Sequence, residues 1–187
     1  MNNERNFRTE LCKRINDEIT EYSVYDCDCG NETNLVYQLI IDGNGAIQPD
    51  DPAHPSRGNY AFQTDILIKK GKLPIVAIET KSGGLSTHDI LTYSTKAMKH
   101  KEIYPYLRYG LIVGNLKKIP NRFFIHNQGF DFAASLSYNN DNSFCDGEVD
   151  AIVDMIKKQI EDSERLLKLI EKRNGTKRFS RNIEILA

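Results

Sequence analysis

Residues 61–82 read AFQTDILIKKGKLPIVAIETKS, and this stretch decides the fold. Two runs within it, residues 62–69 and 73–81, are rich in apolar and β-branched side chains, and a short segment containing Gly71 separates them. Strand-like runs joined by a short glycine-containing connection are typical of a β-hairpin. Because both runs are continuously apolar in their centres, we expect two antiparallel strands that are buried on both faces of a sheet.

Three charged residues, Asp65, Glu79 and Lys81, lie at the ends of these apolar runs. If the hairpin turns symmetrically about Lys72, Asp65 lies directly opposite Glu79. Lys81 projects on the same face as Glu79, because side chains alternate along a strand. Two carboxylates at the ends of core strands repel each other unless a cation or a proton intervenes, and Mg²⁺ is commonly held by one or two carboxylates. The pattern predicts a magnesium site with an adjacent ammonium group, a combination suited to phosphodiester hydrolysis.

The rest of the chain predicts helices and further strands around the hairpin. The Ser86-x-x-Asp89 pattern is typical of a capped helix start. The elements expected in chain order are a helix over residues 6–22, a polar loop over 26–34, a strand over 35–41, a mobile or functional loop over 49–58, a helix from Ser86 towards Ile103, short strands over 109–113 and 122–126, and a long helix over 148–173. This order predicts an α/β fold with a central mixed sheet flanked by helices.

The composition is that of one globular unit, so we expect a single domain over residues 1–187. The chain is 40% apolar and carries a formal net charge of -1, which does not indicate a generally basic nucleic-acid-binding body. Its apolar runs are strand-sized, far below the ~20 residues of a membrane-spanning helix, and its first residues carry no apolar signal region. We therefore expect no membrane association, and reduced thiols at the four cysteines of a cytoplasmic protein, of which only Cys27 and Cys29 are close in sequence.

The charged motif resembles that of a known enzyme superfamily. Thr64-Asp65, a connection of thirteen residues and Glu79-Thr80-Lys81 are similar to the PD-(D/E)xK motif of type II restriction endonucleases and of many repair and recombination nucleases. The resemblance implies a restriction-endonuclease-like fold, in which a central mixed sheet is flanked by helices. It also implies that Asp65, Glu79 and the backbone carbonyl of Thr80 bind Mg²⁺, for which Mn²⁺ can substitute, and that Lys81 assists the attack of water on phosphate.

Further site residues are predicted outside the motif. In many members of the superfamily an acidic residue of the first helix contributes to the metal site, and Glu10 is the candidate here. The predicted helix after the motif offers hydroxyl and ammonium groups for DNA phosphates, and Ser82 begins a glycine-rich exit that allows close approach of a ligand. The DNA-binding candidates are Ser82, Tyr93, Lys96, Lys99 and Lys101. The polar stretches 44–59 and 139–142 are either base-reading loops or solvated turns.

The function expected from these residues is Mg²⁺-dependent hydrolysis of DNA phosphodiester bonds by an endonuclease. A type II restriction endonuclease that cuts double-stranded DNA as a homodimer is the first hypothesis, in the cytoplasm of a prokaryote or a phage-infected cell. The long helix over residues 148–173 is either the dimer interface or packed against the sheet. A repair, recombination or phage DNA-processing nuclease of the same superfamily is the second hypothesis, and a non-catalytic DNA-binding domain with this fold is the third.

Overall fold

The chain has an α/β fold in a computed structural model that describes residues 3–19, 24–30, 33–138, 143–172, 175–180 and 183–186. The helices are α1 (Asn3–Ile19), α2 (Thr87–Ile103), α3 (Asn121–His126) and α4 (Asp146–Glu171). The strands are β1 (Asp26–Cys29), β2 (Asn34–Val36), β3 (Ile40–Ile41), β4 (Ile47–Gln48), β5 (Ala61–Gln63), β6 (Ile66–Lys70), β7 (Leu73–Ser82), β8 (Arg108–Gly114) and β9 (Phe132–Leu136).

A five-stranded mixed sheet forms the centre of the fold, with the strand order β1-β6-β7-β8-β9. The first three of these strands are antiparallel, whereas β7, β8 and β9 run parallel to one another. A parallel pair needs a long crossover, and α2 supplies it between β7 and β8. The predicted mixed central sheet with flanking helices and a long C-terminal helix is therefore confirmed.

The sheet is covered on both faces. One face packs against α1 and α4 in a core that includes Phe7, Leu11, Ile78 and Ile156. The other face packs against α2 and α3 in a second core, whose buried members include Ile90, Ala97, Tyr109, Leu111 and Phe123. The central strand β7 contributes to both cores, as its continuous apolar run predicted.

The register of the central hairpin is the one predicted from the sequence, although its turn is different. Ile66 lies opposite Ile78, as a turn centred on Lys72 requires. The turn itself is tighter, because Lys70 pairs with Leu73, and a register shift within β6 compensates for the difference. The ladder ends at this pair, and Asp65 and Glu79 are the next residues beyond it. Asp65 lies outside β6, close enough for its charge to raise the pKa of Glu79.

The predicted strand over residues 122–126 is wrong, because this segment forms the short helix α3 (Asn121–His126). Its apolar run is too short to distinguish a strand from a helix by periodicity. Pro120 stands at the N-cap with a φ of -73°, and its fixed backbone geometry suits the start of a helix. Phe123 is buried against the α2 side of the core, while Phe124 and Ile125 are exposed.

The two edges of the sheet depart from the sequence prediction. The stretch 26–34 was expected to be a polar loop but contains β1 (Asp26–Cys29), and β9 (Phe132–Leu136) was not predicted. Edge strands pair on one side only and often carry polar or small residues, which weakens their apolar pattern. The single strand expected over 35–41 is divided between β2 and β3.

The helix boundaries agree with the sequence where the structure describes them. The box that caps α2 is present, because the Asp89 amide donates to Ser86 Oγ at 3.1 Å and the Ser86 amide donates to Asp89 Oδ2 at 2.8 Å. The apolar seam of α4 is buried within the chain, where Val149, Val153, Ile156 and Ile160 pack into the core. The predicted helix ends at residues 20–22 and 173 lie outside the described residues. No helix in the described ranges has the length and hydropathy needed to cross a bilayer.

Candidate active site

Asp65 lies immediately before β6. The last residues of β7 extend beyond the start of β6, and Asp65 lies beside them. Its Oδ2 accepts hydrogen bonds from the Thr80 backbone amide at 2.8 Å and from the Thr80 hydroxyl at 2.9 Å. Its Oδ1 accepts one from Arg8 Nη1 at 3.2 Å. Since the amide and the carbonyl of one strand residue point to the same side of the strand, the Thr80 carbonyl faces the Asp65 side of β7 as well. Asp65 therefore connects α1 to the edge of β7.

Glu79 is a buried carboxylate with only 2% of its surface exposed. Its Oε1 accepts the Tyr109 hydroxyl at 2.7 Å and lies 2.6 Å from Lys96 Nζ, whereas its Oε2 makes no hydrogen bond to the described residues. Burial raises the pKa of Glu79, Lys96 opposes this effect, and the neighbouring Asp65 raises the pKa further. Lys96 is therefore the cation that compensates the buried charge of Glu79.

Lys81 lies at the same end of β7, two residues beyond Glu79. Its Nζ is 3.6 Å from Asp89 Oδ1, a distance that makes an ion pair without a hydrogen bond. Asp89 belongs to the box that caps α2, and the Ser86 side chain lowers the pKa of Asp89. The ammonium group of Lys81 is thus turned towards the start of α2, and its described ion-pair partner is Asp89 and not Asp65 or Glu79.

Glu10 is not brought to the carboxylate pair. It follows Arg8 by two positions, which is ~200° around a helix, and it borders a different surface depression with Arg5 and Tyr138. Glu4 precedes Arg8 by one helical turn and so lies on the same side of α1. The negative charge of Glu4 is one of the charges that raise the pKa of Tyr93, so Glu4 lies on the side of α1 that faces the site. Among the acidic residues of α1, Glu4 is therefore closer to the site than Glu10.

The three lysines of α2 are not arranged as one positive face. Lys96 binds Glu79 and donates to the Gln63 carbonyl at 2.9 Å. Lys99 pairs with its helix neighbour Glu102 at 3.0 Å, and Lys101 pairs with Asp131 at 2.6 Å. Positions 96 and 101 are ~140° apart around a helix, so lysines that are close in sequence diverge in space. Each of the three ammonium groups has an acidic partner in the protein.

The remaining DNA-binding candidates lie near the site or outside the described part. The Tyr93 ring is half-buried, with Lys96 Nζ 5.8 Å from its centroid, and burial raises the pKa of Tyr93 to about 12. Ser82 is the half-buried last residue of β7. The stretch 44–59 is largely exposed, and residues 139–142 lie outside the described residues.

Arg8 and Tyr109 are site residues that the sequence reasoning missed. Arg8 occupies the apolar side of α1 with Cys12 and Ile15, and an arginine on such a side is a signal that a buried partner exists. Tyr109 was assigned only to a core strand, and a buried tyrosine usually needs a hydrogen-bond partner for its hydroxyl. Both signals were present in the sequence, but neither identifies which carboxylate is the partner.

His100 supports the Tyr109 ring from α2. The two rings stack with centroids 5.6 Å apart, and His100 Nε2 lies 3.1 Å from the Leu35 carbonyl oxygen. Burial, followed by the charge of Lys96, lowers the pKa of His100 to about 3. The imidazole is therefore neutral in the folded protein at ordinary pH.

We expect His100 to make folding stability depend on pH. Its folded-state pKa lies below the unfolded value near 6.5, so the stabilisation is complete above about pH 6.5 and is lost as the pH falls towards 3. Between pH 7 and pH 5 this corresponds to about 2 kcal/mol of unfolding free energy. Urea unfolding at both pH values should show this loss for the unmodified protein and a smaller one for His100→Gln.

The exposed His88 on the same helix provides the matched control. His88→Gln should retain the pH dependence of the unmodified protein. Equal pH dependence in His100→Gln and the unmodified protein would contradict the assignment of this effect to His100.

The donor atoms of the site fit a magnesium ion. Carboxylate oxygens of Asp65 and Glu79 and the carbonyl of Thr80 are hard ligands, and Mg²⁺ usually combines one or two carboxylates with water and phosphate oxygens. Glu79 Oε2 is the oxygen without a hydrogen bond in the described residues. Among the described residues no group of three or more His, Cys, Asp or Glu side chains is found that could hold a metal ion.

No protein-family model matches the sequence, and no curated protein is detectably similar to it. Function is therefore inferred from the residues of the site and their geometry. The two carboxylates, their helix-borne cations and Lys81 are the features that bear on it.

Proposed function

We propose that the protein is a Mg²⁺-dependent endonuclease that hydrolyses DNA phosphodiester bonds. The observation that carries this proposal is that Asp65 and the buried Glu79 lie close together at one end of β7. The charge of Asp65 raises the pKa of Glu79, and Glu79 keeps one oxygen without a hydrogen bond in the described residues. Two acids this close in a poorly solvated site need positive charge beside them, which Arg8 and Lys96 supply in the metal-free protein and a divalent cation can supply when bound. The central mixed sheet flanked by helices also fits the fold that the resemblance to PD-(D/E)xK nucleases implies.

Each residue of the site has a separate part in this chemistry. A bound Mg²⁺ supplies activation of the attacking water and of a phosphate oxygen. Asp65, Glu79 and the Thr80 carbonyl would hold the ion, while the Thr80 hydroxyl and amide orient Asp65. Tyr109 fixes one oxygen of Glu79 and so leaves the other for the metal.

Lys81 supplies positive charge to the phosphate. At 3.6 Å from Asp89 Oδ1 its ammonium is held by charge alone and keeps its hydrogens for a phosphate oxygen. Negative charge develops on that oxygen during hydrolysis, so a cation fixed near it stabilises the transition state. Lys81 thereby acts on the reacting group, whereas Thr80 and Tyr109 act through the metal ligands.

Within this class we assign a type II restriction endonuclease that cuts double-stranded DNA as a homodimer, with Mn²⁺ able to replace Mg²⁺. A repair, recombination or phage DNA-processing nuclease uses the same chemistry on a different DNA shape. A dimer interface on α4 would use its outer surface, where Leu169 and Ile170 are exposed, because the apolar seam is buried in the chain. A purely DNA-binding role has less support, since the lysines of α2 are paired with acidic residues.

Purified protein should nick or linearise plasmid DNA with Mg²⁺ and leave it intact with a chelator. Asp65→Asn should raise the Mg²⁺ concentration needed for half-maximal cleavage by about tenfold or more, because it weakens a metal ligand. Gel electrophoresis of the products across a Mg²⁺ titration measures both effects. Asp150→Asn, an exposed substitution on α4, is the control and should behave as the unmodified protein. The proposal would be refuted if plasmid, single-stranded and branched DNA all remained intact in the presence of Mg²⁺ and of Mn²⁺.

A further inference from the structure

The two acids of the site are each neutralised by a cation that comes from a different face of the sheet. Arg8 reaches Asp65 from α1, at 3.2 Å, and Lys96 reaches Glu79 from α2, at 2.6 Å. α1 packs on one core and α2 on the other, so the carboxylate pair lies between the two cations. The Lys96 side chain is 18% exposed, so its ammonium group is largely shielded from solvent.

Both cations retain donors that the protein does not use. Arg8 makes one hydrogen bond, through Nη1, and its buried Nε has no hydrogen-bond partner among the described residues. A guanidinium group has five N–H donors, and a buried donor without a partner costs free energy. Lys96 uses its ammonium on Glu79 and on the Gln63 carbonyl, out of three hydrogens. The N–H donors of Arg8 and Lys96 that have no partner in the protein indicate that an anionic ligand binds at this site.

The charges of the site explain when that anion binds. Asp65 and Glu79 carry two negative charges, and Arg8 and Lys96 carry two positive charges, so the metal-free set is neutral. A divalent cation alone would add two positive charges beside Arg8 and Lys96, and like charges in a poorly solvated site repel strongly. A DNA phosphodiester adds one negative charge, and the pentavalent phosphorus of hydrolysis carries a second. Metal and phosphodiester together leave one excess positive charge, which is less than the two that the metal alone adds, and the second negative charge of the pentavalent phosphorus removes it.

We propose that Arg8 and Lys96 are phosphate-binding residues which neutralise the metal-binding carboxylates until substrate arrives, so that the metal and the DNA phosphate bind cooperatively. This inference rests on the proposed nuclease function, because it assigns the metal to Asp65 and Glu79. When the metal engages the carboxylates, the guanidinium of Arg8 and the ammonium of Lys96 turn to oxygens of the same phosphate. Both side chains are long and flexible enough to exchange one oxygen ligand for another nearby.

The test measures metal affinity and DNA affinity separately. Ca²⁺ takes the same kind of oxygen ligands as Mg²⁺ and is titrated by calorimetry into the protein alone, which requires no catalysis. Removal of one positive charge should tighten Ca²⁺ binding by about tenfold in Arg8→Met and in Lys96→Met, because repulsion of the ion is reduced. The same variants should bind a mixed-sequence DNA duplex about tenfold more weakly in the presence of Ca²⁺.

Three further variants separate this role from a structural one. Arg8→Lys and Lys96→Arg keep the charge and should retain the Ca²⁺ affinity of the unmodified protein, and thermal unfolding shows whether each variant is folded. Lys13→Met removes an exposed charge elsewhere on α1 and should change neither affinity.

The outcomes distinguish this inference from the proposed function. Unchanged or weaker Ca²⁺ binding in both folded methionine variants, with Mg²⁺-dependent cleavage intact in the unmodified protein, overturns the role of Arg8 and Lys96 alone. Absence of both cleavage and Ca²⁺ binding in the unmodified protein overturns the proposed function, and this inference with it. Tighter Ca²⁺ binding together with weaker DNA binding in the two methionine variants supports the role of Arg8 and Lys96.

Discussion

Glu79→Gln is expected to lower Mg²⁺-dependent DNA cleavage by about a thousandfold while the protein remains folded. Glutamine has nearly the same shape and keeps an oxygen that accepts the Tyr109 hydroxyl, which lies at 2.7 Å in the unmodified protein. What the substitution removes is the negative charge that a divalent cation requires.

Stability should change much less than activity in this variant. Loss of the carboxylate leaves Lys96 without its ion-pair partner, but its ammonium still donates to the Gln63 carbonyl at 2.9 Å and the side chain retains some exposure. We expect a change of about 1–2 kcal/mol in unfolding free energy. Single-turnover cleavage and urea unfolding measure the two effects.

Glu161→Gln is the matched control, because Glu161 is an exposed acid of α4 that pairs only loosely with Arg165 at 3.5 Å. It should leave both cleavage and unfolding unchanged. A cleavage rate in Glu79→Gln close to that of the unmodified protein would exclude Glu79 as a metal ligand.

The position of the acidic pair was predictable because strand geometry is local. Alternation along β7 and the register of one hairpin are enough to bring Asp65 close to Glu79, and neither depends on distant parts of the chain. The register held even though the turn was tighter than expected, since the shift within β6 kept Ile66 opposite Ile78. A slip of one residue would have turned every apolar side chain of the strand to the wrong face.

The partners of the acids could not be predicted in the same way. Arg8 is 57 residues from Asp65 in the sequence, and Tyr109 is 30 residues from Glu79. Such contacts depend on how α1 and β8 pack on the sheet, which no local pattern encodes. The charge density of α2 was misleading for the same reason, because its lysines point in different directions and find different acids.

Gly110→Ala is expected to destabilise the protein by about 3 kcal/mol. Gly110 lies in β8 directly opposite Phe132 of β9, and a Cβ atom built there would be 2.0 Å from Phe132 Cζ. The Phe132 ring is 7% exposed and packed in the core, so it cannot move aside without opening a gap. Glycine is required here by the close approach of a neighbouring ring, and not by its backbone conformation. Urea unfolding of the variant measures the cost.

Two comparisons identify the cause of that cost. Gly147→Ala, in the first turn of α4, places its Cβ in open space and should be neutral or stabilising by about 0.5 kcal/mol. In a double-mutant cycle, Gly110→Ala should cost far less when Phe132 is already alanine, because the clash has been removed. Additive effects would mean that the ring is not responsible. The neighbouring Tyr109 holds Glu79 through its hydroxyl, so a displaced β8 should weaken Mg²⁺-dependent cleavage as well, and the Phe132→Ala background should restore part of it.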